Sequence, residues 1–176
     1  RDSNKSLFSV EKSAVIDVDS LLILTDEQRE EFITYHDKQL NKGIKSHNAL
    51  QLFLQNRLSS FTYYGETLIA EKAMRLNRGN CMSLAILTTA LAKVVGLEVA
   101  YREVNTLPVF EKHNNLILSA THVQTIIYDP EFIPQQNIIY LSRPGVVIDY
   151  FPASSNRLSK YISEDEFYGM YYTNIA

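Results

Sequence analysis

Residues 76–104, LNRGNCMSLAILTTALAKVVGLEVAYREV, run from a glycine turn into an apolar helix and out again into a strand. Asn80 is a residue type that favours a helix N-cap, because its side-chain oxygen accepts from the N–H groups two and three residues on. The helix then begins at Cys81 or one residue later and continues to about Val95, with Gly96 closing it. Leu84, Ala85, Leu87, Leu91, Val94 and Val95 form a broad apolar stripe, so this helix is buried. The LEVAYREV that follows is rich in Val and Tyr and reads as a strand.

Cys81 is the one cysteine in 176 residues, which rules out an intramolecular disulfide. A free cysteine is most often an inert core residue. Its place in the first turn points the other way: the helix dipole and unpaired N–H groups there favour thiolate and can hold a developing oxyanion.

The elements on either side give the fold class. Thr25 heads DEQREEFITYHDKQL with Gln28 at the capping-box position and Gly43 beyond its end. A second helix begins after Ser46, with Leu50, Phe53, Leu54 and Leu58 on one face, and a third covers ETLIAEKAMRL, residues 66–76. Residues 13–24, SAVIDVDSLLIL, are apolar but fit either type, and the first dozen residues are a polar entry. After residue 97 short runs rich in Val, Ile and Tyr take over: LEVAYREV, THVQTIIY, NIIYLS and GVVIDYF. Residues 105–121 read as a long surface connection, and SEDEFYGMYYTNIA as a final helix with Ser163 and Glu166 as its capping pair. Helices first and strands second predict one α+β domain over residues 1–176, a helical N-terminal half with the Cys81 helix packed on an antiparallel sheet.

Composition narrows the function. With 45% hydrophobic and 21% charged residues the chain is globular in type, and its net charge of −3 gives no general attraction for phosphate backbones. No basic run or glycine-rich phosphate loop is present, so no nucleic-acid partner is expected. No apolar run approaches the roughly 18 residues that a membrane span needs. Position 1 is Arg, which leaves the compartment open to processing or export.

A thiolate nucleophile needs a base, and the chain offers four histidines. His36 and His47 lie on or beside polar helices and read as surface residues. His113 sits in an Asn-rich loop that nothing fixes. His122 opens THVQTIIY, where a strand holds its side chain in one direction, and it is the preferred base, with His113 the alternative. For the orienting carboxylate Asp129 and Asp149 compete. Asp129, on an extended strand, lies about 23 Å from His122 and on the opposite face. Asp149 ends a second strand able to pair with the first, so Asp149 is preferred and Asp129 reads as a turn residue before Pro130.

The sequence RGNCMSLAILTTALAKVVGLEVAYREV, then HVQTII, then VVIDYFP, resembles the core of the transglutaminase-like superfamily, over about residues 61–152. The resemblance implies a papain-like fold with Cys81 as nucleophile, His122 as base and Asp149 as orienting acid. FTYYGETLIAEKAMRLNRGNC is similar to the bacterial SirB-type subgroup, in which this domain precedes tetratricopeptide repeats, so the resemblance implies a helical repeat region after Ala176. Many members carry Trp two residues after the histidine; here that residue is Gln124, and the chain has no Trp. The animal enzymes' calcium requirement is not carried over, because no acidic loop of calcium-binding type is present.

The expected activity is thiol acyl transfer on a peptide or protein amide, hydrolytic if water resolves the acyl-enzyme and cross-linking if an amine does. The Cys81 N–H would supply one oxyanion contact, with Tyr63, Tyr64, Asn80 and Gln124 as further candidates at the oxyanion or substrate side. No cofactor is implied, and Cys81 with His122 lack the spacing of a metal site. The rival reading keeps the fold but turns nothing over: a peptide-binding or assembly module whose cleft is lined from the eleven Tyr and eight Phe.

Overall fold

The computed structural model describes residues 17–59, 61–63, 65–106, 109–110, 117–118, 121–149 and 157–175. A single helical turn, α1 (Val18–Leu21), leads to α2 (Asp26–Leu40). The capping box at the start of α2 is complete: Gln28 N donates to Thr25 Oγ1 at 3.2 Å and Thr25 N to Gln28 Oε1 at 3.0 Å. Helix α3 (Ser46–Leu58) packs against α2 through aromatic edges, with the Phe53 ring 5.0 Å from Phe32 and 5.4 Å from Tyr35.

Strand β1 (Thr62–Tyr63) pairs in parallel with β2 (Arg78–Gly79), and α4 (Ala70–Leu76) lies between them. Asn77 ends α4 in the left-handed region at φ 50, a conformation Asn tolerates. Helix α5 (Cys81–Val94) follows at once and is buried from Met82 through Ala92. A helix apolar all round has no solvent face, so it takes the centre of the molecule. α2, α3 and α4 all pack against it.

The sheet has four strands in the order β7, β6, β3, β8: Gly145–Ile148, Thr121–Tyr128, Val99–Thr106 and Arg157–Ile162. Every neighbouring pair is antiparallel. β4 (Val109–Phe110) and β5 (Ile117–Leu118) form a separate short antiparallel pair, and α6 (Glu164–Ile175) ends the described chain. Tyr101, Val123 and Ile127 belong to the same buried cluster as α5, and Thr89 Oγ1 lies 2.8 Å from the Tyr101 hydroxyl. α6 covers the same face, its Phe167 ring stacked on Tyr101 at 3.9 Å. Strand alternation turns Arg102, His122 and Gln124 to the other face. The molecule is α+β, with helices on one side of an antiparallel sheet.

Several boundaries differ from the sequence reading. NIIYLS is not a strand: it lies in the connection from β6 to β7, with Ile139 92% and Leu141 100% exposed. The edge place beside β6 is taken by β7, whose Gly145 comes so close to the Ile127 carbonyl that an added Cβ would collide with it. The third helix is shorter than expected, because residues 66–68 are tied to α5 instead: Leu68 N donates to Ser83 Oγ at 2.8 Å, and Ser83 Oγ reaches Glu66 O at 3.4 Å. α3 includes Ser46 rather than starting after it, and the Ser46 hydroxyl pairs with His36 Nε2 at 2.8 Å. The connection after β3 holds β4 and β5, while its remaining residues, His113 among them, lie outside the described part. β8 was not anticipated, and His36 and His47 are not surface residues, being 4% and 5% exposed.

Candidate active site

The turn before α5 explains why glycine precedes Asn80. Gly79 has φ 154, and a Cβ there would strike the Ser83 side chain. That close approach lets Ser83 and Asn80 cap the helix reciprocally: Ser83 N donates to Asn80 Oδ1 at 3.0 Å and Asn80 N to Ser83 Oγ at 3.3 Å. The Asn80 amide is engaged on its other side too, donating to Thr67 Oγ1 at 2.7 Å and to Gly65 O at 3.4 Å. With both amide hydrogens bound, Asn80 has none left for an oxyanion; it builds the turn.

Cys81 is the first residue of α5 and its thiol is half-buried. The backbone N–H groups of Val123, Met82 and Cys81 itself hydrogen-bond the sulfur and favour thiolate. Burial opposes them and wins, and the negative charge of Asp149 adds to it, so the thiol is pushed above its ordinary value. The sequence reading expected the helix start to favour thiolate; burial overturns that, and although the first-turn N–H groups pull the thiol pKa down, the net direction is upward.

Val123, whose backbone acts on the thiol, follows His122 on β6. β7 pairs with residues 125–128, so the opening of β6 has no β7 partner, and the Cys81 thiol meets the strand's backbone there. His122 is 6% exposed, and its Nε2 stands 3.4 Å from Asp149 Oδ1, within ion-pair reach though long for a hydrogen bond. Asp149 follows directly on β7, and the β6–β7 register brings it opposite Gln124. Gln124 Nε2 donates to Asp149 Oδ2 at 2.6 Å, while Gln124 Oε1 accepts from Arg102 Nε at 2.8 Å and Nη2 at 2.6 Å. Gln124 therefore faces the carboxylate and an arginine, not a space where an oxyanion could form. The Tyr63 side chain and Tyr64 lie outside the described residues.

Asp129 is drawn away from this group. It binds Lys45 Nζ at 2.7 Å, accepts from Glu131 N at 2.9 Å, and faces His47 Nδ1 at 3.8 Å. The Glu131 contact two residues on makes it the turn residue expected before Pro130.

The chain matches no family model, no curated protein and no solved structure. What bears on function is therefore the chemistry of this group and its surroundings. A cleft of ≈ 270 Å³ adjoins Asp149, with Leu54, Leu84 and Ile148 as apolar wall and Gln51, Gln55 and Ser59 as polar groups. A larger hollow of ≈ 530 Å³ lies over Glu27, Glu31 and Phe53 on α2 and α3, but it contains no member of the Cys81 group. Volume alone does not choose between them; the smaller cleft is lined by Asp149, though not by Cys81 or His122. Among the described residues no group of three or more His, Cys, Asp or Glu is arranged to hold a metal ion, and no helix is long and apolar enough to cross a membrane.

Proposed function

We propose that this chain is a transglutaminase-like thiol acyl-transfer enzyme, a cysteine protease or amidase acting on a peptide or protein amide. The observation that supports it most is the meeting of His122 and Asp149, both nearly buried, with Nε2 3.4 Å from Oδ1 at the end of β6 that opens beside Val123, whose backbone acts on the Cys81 thiol.

The burial of the thiol shapes the chemistry. A thiol held above its ordinary pKa rests protonated at neutral pH, so His122 must remove the proton as the sulfur adds to the carbonyl carbon. The carbonyl oxygen becomes an oxyanion, which the first-turn N–H groups of Cys81 and Met82 would receive. Asp149 holds the imidazole and stabilises its charged form. The imidazolium then protonates the departing amine, the carbon–nitrogen bond breaks, and a thioester to Cys81 is left. Water attacking the thioester gives hydrolysis; a primary amine gives transamidation. The cleft beside Asp149 offers apolar and neutral polar contacts to a substrate side chain.

Peptide hydrolysis and incorporation of a fluorescent primary amine into a glutamine-containing protein, run side by side, test the reading. The wild type should give at least one signal, and Cys81→Ala and His122→Ala should each lose about a hundredfold or more. Equal rates for wild type and Cys81→Ala would refute it. The second reading, a peptide-binding module without turnover, is favoured by the same upward displacement of the thiol; it predicts peptide binding that Cys81→Ala leaves intact, with no product.

A further inference from the structure

We infer that Gln124 is a positioning residue for this acyl transfer: held from one side by Arg102, it fixes one oxygen of Asp149 so that the other stays on the His122 ring. The inference rests on the reading just given and extends it to two residues that act through Asp149.

The register sets up the chain of contacts. Arg102 and Gln124 are cross-strand partners on β3 and β6, on the same face, and Asp149 leaves β7 beside them. Gln124 is 7% exposed, so its amide has little water to turn to. Its orientation is dictated by chemistry. Arginine only donates and a carboxylate only accepts, so Oε1 must face Arg102 and Nε2 must face Asp149. The reversed amide would set N–H against guanidinium and carbonyl against carboxylate, two repulsions in place of three hydrogen bonds.

The consequence falls on Asp149. Its Oδ2 is held by Gln124 at 2.6 Å, and Oδ1 is the oxygen that faces His122 Nε2 at 3.4 Å. A carboxylate free to rotate about its Cβ–Cγ bond would share its charge among several directions. Clamped at Oδ2, it presents Oδ1 to the ring in one geometry. Arg102, forked onto the amide oxygen, polarises the amide and strengthens its grip on Oδ2. The role of Gln124 at the oxyanion or substrate side gives way to one behind the histidine.

Two variants separate positioning from mere support. Gln124→Met keeps length and shape but removes both sets of hydrogen bonds. Gln124→Glu keeps an acceptor for Arg102, now as an ion pair, and replaces the donor to Asp149 with a second carboxylate. Steady-state kinetics on the substrate of the wild type should show kcat lowered about tenfold to a hundredfold in both, with KM within about twofold. Arg102→Lys, able to donate singly, should retain more kcat than Arg102→Met. If residue 124 serves simply to anchor Arg102, Gln124→Glu works at the wild-type kcat, and that result overturns the inference even where Gln124→Met fails to fold. A wild type no faster than Cys81→Ala overturns the enzymatic reading and this role with it, whereas an active wild type with an unimpaired Gln124→Glu overturns this role alone.

Discussion

At the residue scale the thiol is governed by two opposed effects, and burial outweighs the three N–H groups directed at the sulfur. Because the raised pKa keeps the thiol protonated, alkylation of Cys81 by iodoacetamide should climb with pH along a curve displaced upward from that of a free thiol model; superimposable curves would contradict the burial. Asp129 behaves oppositely. Lys45 holds its carboxyl below the ordinary value of 3.8, so the contact stabilises the fold above that value and is lost as pH falls through the lowered one. Asp129→Asn should therefore lower the urea midpoint at pH 7, by a difference that shrinks as pH falls below 3.8; a difference that does not shrink with falling pH would rule out the ionic contact. Of the candidate residues, the convergence of His122 with Asp149 was legible, because strand alternation and pairing alone bring them to one place. The engagement of Gln124 was not, since it depends on Arg102 from another strand. Nor was the burial of His36 and His47, whose partners Ser46 and Asp129 give polar helices an inward-facing ring.

At the scale of elements, the capping residues were the readable part. Thr25 with Gln28 and Ser163 with Glu166 act as the sequence pattern requires, since a cap needs only its own first turn. At α5 Asn80 is the cap, as its residue type indicates; Ser83 completes it and also ties in residues 66–68, which the pattern did not show. Asn80→Ala should cost about 1–2 kcal/mol of stability in denaturant titration. Gly79→Ala should cost more, roughly 1–3 kcal/mol from the strained backbone alone, with the Ser83 collision added. A Gly79→Ala protein as stable as the wild type would show that the turn adopts another path. The strands were harder to read. β8 is an edge strand whose Ser159, Lys160 and Tyr161 are exposed, so no apolar run announces it. NIIYLS has the composition of a strand, but composition does not say whether an edge is available to pair with.

For the whole molecule, one helix and one sheet face account for the architecture. α5 is apolar on every side, so the other helices gather round it, and the sheet closes the remaining face with Tyr101, Val123 and Ile127. The stretch of residues 76–104 showed a buried helix packed on the sheet, read from a broad apolar stripe; that α5 is buried all round, with the other helices gathered on it, goes beyond that stripe. The docking of α6 was not visible there. Phe167 is fully buried and stacked on Tyr101, whose phenol burial pushes up to about 12. Phe167→Ala should cost about 3–5 kcal/mol and expose Tyr101, so its phenol should titrate at lower pH in the variant. The central claim is that Cys81 takes up an acyl group with His122 as its base. Intact-mass spectrometry after brief exposure to an activated acyl ester and an acid quench tests it directly. The account predicts a single acyl adduct on Cys81 in the wild type that disappears on further incubation, with formation slowed about a hundredfold in His122→Ala. An adduct forming equally fast in both proteins, or none on Cys81 in the wild type, would contradict it.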